Sequence, residues 1–166
     1  LKNVAIVVRN LNTKSGLGKI IEYQINLFRD LKYRVELIVQ KSDGKLDNKV
    51  EVIKVTKFPF GKYWSRYFFA KSVEKIIRNR DYTFVIGHGD IFKQDILFLH
   101  NLVEKTHFAI HHQNMERLSA VAKLHRKILR EGEFKKIVAN SQLMKRELIY
   151  NFHIILIRDI WKIKKS

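Results

Sequence analysis

The sequence predicts a doubly wound α/β domain, a mostly parallel sheet with helices on both faces. Three observations point there. Short runs of apolar, often β-branched residues recur along the chain. Segments with apolar residues at helical spacing lie between them, and the two kinds alternate. Polar turns, several of them glycine-bearing, separate the two. Strands fed through helices pair in parallel, and helices on both faces bury such strands completely.

Val4–Val8 is a continuous apolar run, as suits a strand buried on both faces. A polar loop, 10–18, follows. Ile20, Ile21, Gln24, Leu27, Phe28 and Leu31 then fall near helical spacing and predict a helix over Lys19–Leu31. Val35–Val39 is a second strand, and a turn-rich stretch with Ser42-Asp43-Gly44 leads to a third, Val50–Val55. The loop Phe58-Pro59-Phe60-Gly61 precedes a helix over Tyr63–Asn79. Thr83–Gly87 and Ile96–Leu99 read as the fourth and fifth strands. Glu116–Arg130 is a basic amphipathic helix and Lys136–Asn140 a sixth strand. Ser141 is placed to cap a helix ending near Asn151, and Ile154–Ile157 has the composition of a seventh strand.

A length of 166 residues suits one domain, and 46% apolar with 30% charged residues is a globular balance. With no cysteine, disulfides, thiolate zinc sites, iron–sulfur clusters and cysteine nucleophiles are excluded. No apolar run approaches the roughly 20 residues of a membrane-spanning helix. Val4–Val8 is too short for a secretory signal, and Arg9 ends it. Lys and Arg total 33 against 16 Asp and Glu, a formal net charge of +17. That excess calls for an anionic partner: nucleic acid, an anionic membrane or a phosphorylated substrate.

In doubly wound sheets ligands gather beyond the carboxyl ends of the strands. Four places qualify: the loop after Val8, Gly87–Asp90, His100-Asn101 and Asn140-Ser141. In Ser15-Gly16-Leu17-Gly18, glycines let backbone approach a phosphate, and a following helix N-terminus favours the anion. The spacing matches neither GxGxxG nor a Walker A loop, and a tight turn that binds nothing would use the same residues. His88 lies between two glycines with Asp90 beyond it, and His100 closes its strand before Asn101. A histidine there can act as a base or hold a hydroxyl or phosphate, and it can equally cap a polar loop.

His107 and His111 have the i,i+4 spacing of a helical metal pair, with His112 beside them, but no acidic residue lies within that run, Glu104 falling three residues before His107. A substrate-facing loop or an exposed helix fits that pattern better, and no metal site is expected. Tyr63, Trp64, Tyr67 and Phe68 interleave with Lys62, Arg66, Lys71 and Lys75. Lys123, Arg126, Lys127 and Arg130 cluster on a later helix, with Leu118, Val121, Leu124 and Ile128 toward another side. Both segments suit an anionic lipid surface through Lys62, Trp64, Arg66, Lys123, Arg126, Lys127 and Arg130. They also suit a nucleic-acid backbone, or simply a solvated helix face.

The order of motifs resembles the N-terminal domain of GT-B glycosyltransferases of the family-4 type. The resemblance is carried by Val4-Ala-Ile-Val-Val-Arg-Asn10, by Ser15-Gly-Leu-Gly-Lys19, and by Leu27-Phe-Arg-Asp-Leu-Lys-Tyr-Arg-Val-Glu-Leu-Ile-Val39. Lys32 stands where that family commonly has glycine. Ile96-Leu-Phe-Leu-His100-Asn101 is similar to a strand ending in a histidine beside the donor and acceptor. Phe134–Leu148 resembles a later strand and helix, with Glu131 or Glu133 at a commonly acidic position. The likeness covers residues 1–157, and lipopolysaccharide-core sugar transferases share its compact pattern.

What the resemblance implies is a Rossmann-like half of a GT-B fold and a metal-independent, retaining transferase in cell-envelope synthesis. The nucleotide-sugar donor would be a substrate, with no cofactor besides, and the acceptor lipid-linked or a polysaccharide. Gly16, Leu17 and Gly18 would lie under the donor diphosphate, His100 and Asn101 at the transferred sugar, and His88 and Asp90 on the acceptor side. The protein would sit in the cytoplasm, peripheral on the inner face of the cell membrane. A second domain supplies most nucleotide contacts in that family. Residues 158–166 would then be a basic tail leading toward it, and the chain alone would be inactive. The alternative is a non-enzymatic basic module for nucleic acid or anionic membrane.

Overall fold

The first strand, β1 (Asn3–Leu11), lies in the middle of the sheet and organises it. The computed structural model describes residues 2–46, 50–59, 61–100 and 119–152. The elements after β1 are α1 (Gly16–Asp30), β2 (Arg34–Ser42), β3 (Glu51–Lys54), α2 (Lys62–Arg78), β4 (Phe84–Gly87), β5 (Ile96–Leu99), α3 (Ala120–Glu131), β6 (Lys136–Ala139) and α4 (Gln142–Phe152). The six strands pair in the order β3-β2-β1-β4-β5-β6, and every pairing is parallel. The chain builds outward from β1 to β3, then returns to the other side of β1 with β4. That reversal creates a topological switch point between β1 and β4, where open α/β sheets form their ligand crevice.

Alternation along β1 explains its burial. Val4, Ile6 and Val8 pack with Ile21 and Ile25 of α1, while Ala5 and Val7 pack with Phe69 and Val73 of α2. A strand covered on both sides has no polar face, hence the unbroken apolar run. The parity continues through β4, where Ile86 joins the α1 side and Val85 the α2 side. In β5, Ile96 and Phe98 meet the α1-side core, and Leu97 and Leu99 join Leu124, Ile128, Met144 and Leu148 of α3 and α4.

Several boundaries differ from the sequence reading. β1 runs on to Leu11 because Asn10 and Leu11 pair with Lys41 and Ser42, a partnership that the polar side chains disguise. α1 starts at Gly16, three residues early, because the Ser15 hydroxyl accepts the Gly18 N–H at 3.0 Å and caps the helix there. α3 starts at Ala120, where Ser119 caps it by accepting the Ala122 N–H at 3.1 Å. Residues 154–157, the expected seventh strand, lie outside the described residues, as do His107, His111, His112 and Asn101.

α1 ends in a Schellman motif. The Tyr33 N–H donates to the Phe28 carbonyl and the Lys32 N–H to that of Arg29, both at 2.9 Å. Phe28 and Tyr33 seal the turn edge to face, with ring centroids 5.7 Å apart. The motif needs a left-handed residue, and Lys32 supplies it at φ 63°. A side chain there costs about 1 kcal/mol relative to glycine. Lys32→Gly is therefore expected to stabilise the chain by about 1 kcal/mol in urea unfolding. An unchanged or lower midpoint would contradict this reading of the turn.

Candidate functional site

The parity of the sheet assembles the site. His88 follows β4 and, two residues beyond Ile86, projects to the α1 side; its N–H donates to the Val7 carbonyl at 2.9 Å. His100 follows β5 and, two residues beyond Phe98, takes the same side. Gln24 reaches the site from α1 and is buried. His88 Nε2 lies 2.9 Å from Gln24 Oε1, and His88 Nδ1 lies 2.8 Å from His100 Nε2. The two imidazoles are inclined by only 14°, and Phe98 stacks on His88 with centroids 5.1 Å apart. Asn140, just past β6, donates from Nδ2 to the His100 carbonyl at 3.2 Å and ties β6 to the end of β5. Ser141 caps α4 by accepting the Met144 N–H at 3.1 Å.

His88 is 7% exposed, and burial, reinforced by its neighbour His100, pushes its pKa down to about 3. Burial lowers His100 as well. Both rings are therefore neutral near pH 7. A neutral imidazole suits a hydroxyl, where an imidazolium would suit a phosphate.

The start of α1 follows the carboxyl end of β1, the sheet neighbour of β4. Thr13 donates from both N–H and hydroxyl to Asp43 Oδ2, at 2.9 and 2.6 Å, pinning the β1–α1 loop to the end of β2. Those bonds hold the Asp43 carboxyl below its usual range. The Ser15 hydroxyl donates to the Asn12 carbonyl at 2.7 Å while it caps Gly18. A Cβ at Gly18 would come within 2.1 Å of the Asn12 carbonyl oxygen, whereas one at Gly16 would meet nothing within 4 Å. Gly18 is thus explained by close packing and its amide is consumed by the cap. Gly16 and Leu17 occupy the first helical turn, whose amides have no intrahelical acceptor.

Asp90 does not join His88. Gly89, at φ +101°, breaks the alternation and turns the chain toward α2. There Arg66 Nη1 lies 2.7 Å from both Asp90 carboxylate oxygens, and both side chains are largely buried. Arg66 is therefore turned inward, away from the exposed basic face with which the sequence groups it. Arg9 lies on the same α2 side, donating to Gln40 Oε1 at 2.9 Å and to the Ser65 hydroxyl at 3.1 Å. Burial, then the nearby Arg66 charge, lowers its pKa. His125 of α3, 1% exposed and also lowered by burial, backs Gly89.

Of the other residues assigned to a lipid surface, Lys62, Trp64, Lys123 and Arg130 are exposed. Arg126 and Lys127 are partly buried, and Lys127 Nζ sits 5.2 Å from the Tyr67 ring centroid. Tyr63 and Tyr67 of α2 pack in one cluster with Leu124 and Ile128 of α3, so the two basic segments belong to adjoining helices. Among the described residues no three His, Asp or Glu side chains group as metal ligands, and no helix is long and apolar enough to cross a membrane. Asn140 was among the strand-end positions picked out by sequence, whereas Gln24 escaped that reading as a site residue. For Gln24 a signal existed: it is a polar residue in a core-facing slot of the α1 pattern.

A family model described as Glycosyltransferase Family 4 matches residues 14–157. Among solved structures the chain is similar to WaaG, a glycosyltransferase involved in lipopolysaccharide biosynthesis, at 13% identity and a TM-score of 0.78, over 92% of this chain and 42% of that one. It is also similar to a glycosyltransferase from Rickettsia africae ESF-5, at 14% identity and a TM-score of 0.54, over 93% of this chain and 40% of that one. The likeness at these identities is one of fold, and the chain spans about two-fifths of the length of either structure. Among curated proteins none matches the sequence.

The buried histidine sets a pH dependence. Unfolded, His88 takes up a proton near pH 6.5; folded, it does so only near pH 3. The unfolded state binds the extra proton between those values, so stability falls as pH drops from 6.5 toward 3. His88→Asn should flatten urea-unfolding free energies across that window by up to about 1.4 kcal/mol per pH unit. His100 and His125 would keep a residual slope of the same sign. An unchanged slope would contradict a buried neutral His88.

Proposed function

The chain belongs to glycosyltransferase family 4, and from that premise we propose that it forms the acceptor-side half of a retaining, metal-independent, nucleotide-sugar-dependent transferase of cell-envelope polysaccharide or lipopolysaccharide synthesis. The observation that carries the reading is the neutral His100 at the carboxyl end of β5, wired through His88 to Gln24. It stands at the switch-point end of the sheet, as does the open first turn of α1. A neutral ring can accept from a sugar hydroxyl, and helical amides can meet the donor diphosphate. In this proposal Gly16 and Leu17 offer the amides and Gly18 shapes their loop. His100 faces the transferred sugar, Asn101 follows it in sequence as its assigned companion, and His88 aligns His100. The Arg66–Asp90 pair braces the acceptor side from behind. A donor-binding half supplies the remaining nucleotide contacts, and the chain alone turns over little.

The exposed Lys62, Trp64, Lys123 and Arg130, with Arg126 and Lys127 beside them, support peripheral binding at the anionic inner face of the cell membrane, where a lipid-linked acceptor would be met. The test joins this chain to a donor-binding half and assays sugar transfer on vesicles. His100→Ala should lower transfer about 100-fold while the circular dichroism stays unchanged. Near wild-type transfer would refute the assignment. The assembly should sediment with anionic vesicles and remain in solution with neutral ones. Equal sedimentation with both would remove the electrostatic argument.

A further inference from the structure

The geometry points to Gln24 as a positioning residue that sets the order of protons along the His88–His100 pair, so that His100 presents an acceptor nitrogen, Nδ1, to its ligand. This rests on the reading of His100 as the group facing the sugar. Gln24 is 6% exposed and His88 7%, so neither can trade its partner for water. The Gln24 oxygen, Oε1, faces His88 Nε2 at 2.9 Å. An amide oxygen only accepts, which places the His88 proton on Nε2. A neutral imidazole carries one proton, so His88 Nδ1 must accept. Its partner at 2.8 Å, His100 Nε2, must then donate. With the His100 proton held on Nε2, Nδ1 has a lone pair available for a hydroxyl. One amide on α1 thereby decides, across two rings, whether the site accepts a hydrogen bond or donates one.

The arrangement is robust because its geometry is fixed from several directions. Phe98 stacks on His88, and the Asn140 amide holds the His100 backbone. Rotation of either ring would leave a buried nitrogen unpaired, a penalty of the kind that folded proteins avoid. The reversed order would leave His100 with Nδ1–H, a donor matched to a carbonyl or phosphate oxygen. The two orders therefore select different ligand chemistry at the same atom.

The test is the ring tautomer, read from long-range 1H–15N correlation spectra of the full chain labelled with 15N-histidine, near neutral pH. Wild-type chain is expected to show both His88 and His100 as Nε2–H tautomers. Gln24→Met keeps the length and removes the acceptor. Leaving a buried N–H without a partner costs more than leaving a lone pair, so a substantial share of molecules should shift to the reversed order. Wild-type His100 carrying its proton on Nδ1 would overturn the proposal, whether or not the variant folds. A folded Gln24→Met chain with both rings still Nε2–H would overturn it as well. If Gln24→Met reverses the order while His100→Ala leaves transfer intact, the proton order stands and the functional reading of His100 falls.

Discussion

A buried imidazole with both nitrogens engaged holds three elements together at the carboxyl end of this sheet. His88 follows β4, meets Gln24 of α1 through one nitrogen and His100 after β5 through the other. Its backbone N–H is given to β1. Taking a polar ring out of water costs a few kcal/mol unless its hydrogen bonds are replaced, so each contact constrains the next. Moving α1 outward would orphan Nε2, and sliding β5 would orphan Nδ1. The site geometry is therefore a consequence of satisfying one residue.

The same sheet separates two kinds of electrostatics. Period-two alternation sends Gln24's partners to the α1 side, where the rings are neutral. It sends Arg9 to the α2 side, where Arg66 and Asp90 form a buried ion pair. Gly89, in the left-handed region, is the hinge between the two, because it alone lets residues 88 and 90 diverge. Charge is thus concentrated behind the β4–β5 connection, in contact with α2 and α3. On the α1 side, Gln24, His88 and His100 are uncharged hydrogen-bonding groups.

How much of this was legible depended on the range of each interaction. The strands were legible because burial on both faces leaves apolar runs such as Val4–Val8. Their parallel pairing follows from the alternation with helices, whereas their order in the sheet is seen only in the structure. His88 and His100 could be picked out by position, as polar residues ending apolar strands. Their contact could not, since it requires the register that pairs Ile86 with Ile96. The pairing of Arg66 with Asp90 was equally hidden: locally, Arg66 reads as one of several cations among aromatics. The start of α1 was misplaced because glycines have low helix propensity, while the cap by Ser15 overrides them. Lys32 is the reverse case, where a missing glycine marked a left-handed turn that the fold retains.

Under the proposed function, sugar substrates bind at the switch-point end of the sheet and not on the basic α2–α3 face. Backbone amide shifts of the 15N-labelled chain, titrated to millimolar levels with a panel of nucleotide-diphosphate sugars, test that most directly. The predicted result is a set of perturbations centred on Gly16, Leu17, Gln24, His88 and His100, with α3 unaffected. Perturbations confined to Lys62, Trp64, Lys123 and Arg130 would mean that the compounds meet only a charged surface, and would contradict the account.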